Sequence, residues 1–242
     1  MLHIQDLTVR YPDGTLAVDH LSLQLAEGES AALIGANGAG KTSLLLSIVG
    51  VLPSQGGISV DGIRLDAQTA PRIRACTGVV FQNPDDQLFM PTLYEDLAFG
   101  LRNQGVPEAQ IAARIDACLR TLGIAHLCGR TTLKLSGGEK RMAALASVLV
   151  MAPRLMLFDE PTAFLDPRAR RGLIRTLQGL PQTRLIATHD LLFAAQVCSR
   201  CILLKDGRIA ADGPARQLLY DAAQMEAGGV EAIGTDEREA AL

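Results

Sequence analysis

Tryptophan is absent from this chain of 242 residues, and three tyrosines and six phenylalanines make up its share of large rings. Its core therefore has to be aliphatic, and 48% apolar residues supply one large domain or two small ones. Excess positive charge is lacking too. The formal net charge of −3 excludes a nucleic-acid binder held by a general basic field. The five cysteines, Cys76, Cys118, Cys128, Cys198 and Cys201, are odd in number and without paired spacing, which argues for a reducing compartment. Cys198 and Cys201 form a C-x-x-C, but partners for a zinc or redox role are missing, so they read as two semi-buried thiols. The longest apolar runs, 143–152 and 44–52, are too short to span a bilayer. The first residues carry neither a basic start nor an apolar segment. The expectation is a soluble chain, or one held at a membrane only through partners.

What is present is alternation. "LHIQDLTVR" and "LSLQL" read as half-buried strands, and "GGISVDGIRL" and "RCILLKDGRIAADG" as hairpins on Asp-Gly turns. "SAALIG", "GVVF", "LMLF" and "RLIAT" are short apolar runs of the buried, parallel kind. "TSLLLSIVG" reads as a helix ending near Gly50. Residues 91–151 are mainly helical in pattern, broken at 103–107. The expected fold is α/β, with an antiparallel N-terminal β region and a helical subdomain inserted at about 85–151. One domain covers 1–220. An acidic, Ala- and Gly-rich tail over 221–242 reads as frayed or a weakly packed helix. No internal repeat is visible.

"GANGAGKTS" (35–43) places G-x-x-x-x-G-K-[ST] between an apolar strand and a helix. Gly35, Gly38 and Gly40, with Ala36, Asn37 and Ala39 between them, let backbone N–H groups curl around phosphate oxygens. The helix start at Lys41–Ser43 adds its dipole. Lys41 is expected to reach β- and γ-phosphates, and Thr42 to offer a hydroxyl to Mg²⁺. "LMLFDE" delivers Asp159 and Glu160 at a strand's C-terminal end, where ligands bind in open α/β sheets. Asp159 would hold Mg²⁺ and Glu160 would act as general base on the attacking water. His189, in "ATHD" at another strand end, can donate to the γ-phosphate and sense its loss.

"LSGGEKRMAALASVLV" (135–150) resembles the signature of ATP-binding-cassette (ABC) ATPases, the P-loop NTPases of ABC transporters, and the resemblance extends over nearly the whole chain. Physically, Ser136, Gly137 and Gly138, followed by Glu139, start a helix whose N–H groups seek an anion. The resemblance implies two cassettes paired head-to-tail, a homodimer or a pairing with a similar cassette, each signature closing on the ATP of the other. It implies that Tyr11 stacks on adenine, that Gln82 contacts Mg²⁺ and the attacking water, and that Asp166 in "AFLD" belongs to the loop crossing to the partner. Phe164 stands there where the family has a small residue.

The stretch "FQNPDDQLFMPTLYEDLAFG" (81–100) looks like its equivalent in energy-coupling-factor (ECF) importers of vitamins and metal ions. The likeness implies a groove for helices of a transmembrane scaffold protein (T component), alongside a substrate-binding membrane protein (S component), with the ATPase at the cytoplasmic face of the membrane. Asp85, Asp86, Glu95 and Asp96 could answer the scaffold's arginines over a floor of Leu88, Phe89 and Leu97; which acid makes the pair stays open. "LSGGEKR" looks most like the cobalt and nickel branch, with a biotin or other vitamin importer, or an ordinary cassette transporter docked on two permeases, as alternatives. A soluble clamp on DNA or ribosomes would need coiled coils or tandem cassettes, and the chain has neither. A regulator without turnover would not need Glu160 and His189.

Overall fold

The structure is a computed structural model and describes residues 1–234. The chain opens on two antiparallel strands, β1 (Leu2–Arg10) and β2 (Leu16–Leu25), then enters a buried strand, β3 (Ser30–Ile34), and a helix, α1 (Lys41–Ile48). A hairpin of β4 (Gln55–Val60) and β5 (Ile63–Arg64) follows, then α2 (Ala70–Cys76) and β6 (Thr77–Val80). Three helices, α3 (Leu93–Asn103), α4 (Glu108–Thr121) and α5 (Gly137–Leu149), interrupt the alternation. It resumes with β7 (Leu155–Asp159), α6 (Pro167–Gln178), β8 (Thr183–Ala187) and α7 (Leu191–Val197). The hairpin β9 (Arg200–Lys205) and β10 (Arg208–Pro214) precedes two short helices, α8 (Ala215–Leu218) and α9 (Ala222–Ala227).

The strands make two sheets. One is antiparallel, in the order β2-β1-β4-β5; the other runs β10-β9-β3-β8-β7-β6, parallel except for β10. The buried runs do what their alternation requires. Ala31 and Leu33 of β3, and Leu155 and Leu157 of β7, face a core shared with the antiparallel sheet and α1. Ala32, Ile34, Met156 and Phe158 face the opposite core, among Leu173 and Leu177 of α6 and Phe193 of α7. The inserted helices enclose a third cluster around Leu97, Leu101, Ile111, Ile115 and Ala144. Both Asp-Gly turns take positive φ at both residues, Asp61 and Gly62 in one, Asp206 and Gly207 in the other, as tight hairpin turns demand.

The expectation for 221–242 needs correcting over its described part. Met225 of α9 and Ile233 are buried in the second core, so this segment is packed onto the domain; residues 235–242 lie outside the described residues. Cys198 and Cys201 are buried rather than half-buried, and burial pushes both thiols up to about 12, so neither is a nucleophile at neutral pH.

Candidate active site

The loop between β3 and α1 is shaped by what surrounds it. A Cβ on Gly35 would come within 2.5 Å of the Leu204 carbonyl oxygen, and one on Gly40, whose φ is +100°, within 2.1 Å of that of Ala17. Only glycine fits at either place, so β9 and β2 press the loop into its curl. Lys41 is buried, and its Nζ donates to the carbonyls of Gly35 (2.7 Å) and Ala36 (3.1 Å). Burial lowers the Lys41 pKa, opposed by the nearby Glu160 and Asp159. Tyr11, at the end of β1, brings its hydroxyl to 3.0 Å from Ser43 Oγ.

The ends of β7 and β8 close the other side. Thr42 Oγ1 donates to Asp159 Oδ2 at 2.8 Å, so the hydroxyl and carboxylate that suit Mg²⁺ already touch. Burial raises the Asp159 pKa, opposed by the Thr42 hydroxyl, with Glu160 adding to the rise. Glu160 is buried in a left-handed conformation, φ +44°, with its N–H on the Ala187 carbonyl. Its Oε2 accepts from the His189 N–H at 3.2 Å and lies 2.9 Å from His189 Nδ1. His189 therefore touches the acid itself, a contact that the strand-end position alone did not reveal. Among the described residues no three His, Cys, Asp or Glu side chains gather to cage a metal ion. That donor set suits Mg²⁺, which takes one or two carboxylates and completes its shell with phosphate and water.

Tyr11, residues 35–43, Gln82, Asp159, Glu160 and His189 all line one cleft. Gly229 and Val230 line it as well. Nothing in the composition of that C-terminal segment signalled a place beside the phosphate loop. Ser136, Gly138, Glu139 and Asp166 line a separate cleft that shares no residue with the first. A phosphate cradled by Lys41 thus lies in a cleft to which the chain's own signature contributes nothing. Ser136 caps α5 reciprocally with Glu139, leaving the N–H groups of Gly137 and Gly138 at the helix start.

Sequence reasoning missed Arg141. It is 1% exposed and donates to two successive carbonyls, Phe81 and Gln82, both at 2.6 Å. Burial lowers its pKa to about 10. Lys140 pairs with Asp85 at 2.6 Å, and Gln87 donates to the Ala144 carbonyl and Ser147 Oγ. The helix carrying the signature thus grips the Gln82 loop along three of its turns. These pairings are 55 to 60 residues apart in the chain, and no local pattern announces them. On the opposite side Arg170 of α6 makes a two-pronged pair with Asp190, the residue after His189.

The expected docking residues divide. Leu88 and Leu97 are corrections: both are buried in the helical cluster and floor nothing. Glu95 closes a capping box with Thr92, and Asp85 is engaged by Lys140. Asp86 is exposed. Phe89 is 64% exposed and meets Phe99 edge-on at 5.2 Å. Both line a groove between α2, α3 and α5 together with Asp96, Gln104 and Met151. Asp96 is only 5% exposed; its Oδ1 accepts the N–H groups of Phe89 and Met90, and its Oδ2 has no partner. Burial raises its pKa against those two bonds.

The profile of the ABC transporter family matches residues 18–163. The chain belongs to the ABC transporter family. Its cassette is 41% identical over 228 residues to the energy-coupling factor transporter ATP-binding protein EcfA of Methanothermobacter thermautotrophicus, covering 92% of this chain and 73% of the relative. It is 40% identical over 236 residues to the cobalt import ATP-binding protein CbiO of Rhodobacter capsulatus, covering 95% and 84%. Among solved structures, CbiO1 of Clostridium perfringens, part of the transporter complex cbiONQ, superposes with a TM-score of 0.83 at 34% identity over 93% of each chain. The dimeric, post-hydrolysis cassette MJ0796, bound to ADP and phosphate, superposes at 0.80 with 26% identity, over 89% of this chain and 99% of that one. This cassette is accordingly an ATPase with the P-loop ABC fold. No helix among its described residues is long and apolar enough to cross a membrane.

Proposed function

We propose that the cassette is the ATP-hydrolysing subunit of an ECF-type importer, seated peripherally at the cytoplasmic face of the membrane. One observation carries the reading of the chemistry: Asp159, Glu160 and His189, from the ends of β7 and β8, converge on Thr42 and the phosphate loop. The loop N–H groups and Lys41 bind the β- and γ-phosphates. Thr42, Asp159 and Gln82 are the residues that would hold Mg²⁺, which when bound neutralises charge on the β/γ oxygens. Glu160 takes the proton of a water whose oxygen bonds to the γ-phosphorus as the bond to the bridging oxygen breaks, releasing ADP and phosphate. His189 orients Glu160 and donates to the γ-phosphate, and Tyr11 faces the adenine. A second cassette, identical or similar, brings its Ser136–Glu139 and Asp166 to complete each site.

The groove beside the Gln82 loop supports the ECF reading. Phe89 and Phe99 offer a ring-lined wall, and the unpaired oxygen of Asp96 is the acid best placed to answer an arginine on a scaffold helix. The likeness to CbiO favours cobalt as the transported ion over a vitamin. The test is purification of the tagged cassette from its native membranes with identification of its stoichiometric partners. One scaffold protein plus a small substrate-binding membrane protein is the expected result. Two permeases with a solute-binding protein would overturn the ECF reading, and the identity of the small membrane protein would decide between ion and vitamin.

A further inference from the structure

The His189 side chain is 72% exposed, so packing does little to fix it. What fixes it is the backbone on either side. The Thr188 N–H donates to the Leu33 carbonyl at 3.2 Å and the Asp190 N–H to Thr188 Oγ1 at 3.0 Å; between them the His189 N–H reaches Glu160 Oε2. Asp190 bolts this segment to the rest of the domain. Its carboxylate caps α7 by accepting the Phe193 N–H at 2.9 Å, and it takes both prongs of Arg170, Nε at 2.7 Å and Nη2 at 2.8 Å. Burial would raise the Asp190 pKa, but Arg170, the Phe193 N–H and the Thr162 hydroxyl hold it below its ordinary value. Three elements thus meet on one carboxylate beside His189: α6, α7 and, through Thr162, the loop that follows Glu160. Helix α6 carries Arg168, Arg170, Arg171 and Arg175. Arg168, Arg171 and Arg175 are exposed, and Arg170 is half-buried. Asp166 sets where Arg170 emerges: its side chain accepts the N–H groups of Arg168 and Ala169, and its carbonyl accepts that of Arg170. A planar fork on a carboxylate fixes orientation as well as distance, which a lysine cannot do.

We propose that Arg170 is a positioning residue for ATP hydrolysis: acting through Asp190, it holds His189 where its backbone N–H and Nδ1 reach Glu160. The proposal rests on the reading above, in which Glu160 and His189 serve the attacking water and the γ-phosphate. It adds a side chain 20 residues from Asp190 in sequence, on a helix outside the residues that line the nucleotide cleft. A misplacement of about 1 Å near the reacting atoms can cost on the order of 10²-fold in rate, so loss of the fork is felt in turnover. Binding is spared, because the phosphate loop and Lys41 are held by contacts of their own.

The experiment measures phosphate release and ATP affinity of the full-length cassette, purified from its native membranes with the partners it carries. Arg170→Met keeps the stem and removes the fork. Its turnover at saturating MgATP is expected to fall about tenfold to a hundredfold, with ATP affinity within about twofold of the parent. Arg170→Lys keeps the charge without the fork and is expected to recover part of the turnover. His189→Ala supplies the reference. Adding Arg170→Met to His189→Ala is expected to cost little further turnover, because the residue being positioned is already gone. A bond that merely staples α6 to α7 would cost the same in either background. Full additivity of the two losses, parent-like turnover of Arg170→Met, or a loss matched by an equal loss of ATP affinity would each overturn the proposal. Should Arg170→Met fail to fold by circular dichroism, the same cycle is run with Arg170→Lys and read in the same way. Parent-like turnover of His189→Ala would instead overturn the reading of His189 on which the proposal stands.

Discussion

The phosphate loop and the Gln82 loop flank the same cleft, yet they are held by opposite means. The phosphate loop is held by shape: glycines at 35 and 40 sit where any side chain would strike the carbonyl of Leu204 or Ala17. Lys41 is five to six residues from the carbonyls it binds. The Gln82 loop is held by side chains that reach across about a quarter of the chain: Arg141 to Phe81 and Gln82, Lys140 to Asp85, Gln87 to Ser147. A loop fixed by collision has one conformation. A loop fixed by a few polar bonds can let go, and any shift of the helix that grips it would be passed to it. The first is suited to binding phosphate, the second to reporting it.

The sharpest way to break the contrast is at the chemistry itself. Glu160→Gln should lower ATP turnover by about 10²–10⁴-fold and trap an ATP-bound dimer. Wild-type turnover, measured as phosphate release, would remove Glu160 as the base. Next comes the cradle. Lys41→Ala should weaken ATP binding by about 30-fold or more, from ~2 kcal/mol for lost charge-assisted bonds, with the fold intact by circular dichroism. Unchanged binding would refute the loop's role.

The grip should respond differently. Arg141→Met leaves the carbonyls of Phe81 and Gln82 without their donor. A loss of ~2 kcal/mol and about 4–8 °C in thermal midpoint is expected. Turnover should fall while monomeric ATP affinity is kept, and Arg141→Lys should restore part of the turnover. If affinity falls as far as it does for Lys41→Ala, the two loops are not distinct in kind.

The smallest effect belongs to Asp96. Asparagine can keep the bonds to Phe89 and Met90 through its Oδ1 and removes the buried charge. The native pKa is raised, so the native state holds the proton more tightly than the unfolded chain does, and stability falls as pH rises above 3.8. Asp96→Asn should therefore gain up to ~1 kcal/mol on the wild type as pH increases through that range, measured by denaturant midpoint, while co-purification of the scaffold is lost. A variant that still brings down the scaffold would dismiss Asp96 as its acid.

The same contrast explains what could be read in advance. Strands β3, β7 and β8, both Asp-Gly hairpins and the meeting of residues 35–43, Asp159, Glu160 and His189 in one cleft were legible, because each signal is local: a run, a turn, a spacing. Leu97 and Asp96 were read as surface because they alternate with polar neighbours, but a helix period turns Leu97 inward, and the backbone of residues 89–90 folds over Asp96. Nothing local marked Arg141 within the signature stretch. Met225 looked like tail. In both cases the deciding contact lies far along the chain, where neither pattern nor propensity reaches.

Helix α5 has 13 residues, so it spans about 20 Å at ~1.5 Å per residue. Arg141 sits one turn from its signature end, and Val148 of the same helix packs under β6 in the core. Pivoting near Val148, a tilt of only about 10° would displace the signature tip by roughly 3 Å over that length, beyond the reach of a hydrogen bond. Were the signature to meet a phosphate, such a beam would turn a bond made or lost at Gln82 into an all-or-nothing result at its far end. The tolerance of that contact, rather than the size of the motion, would then set how sharply one site answers the other.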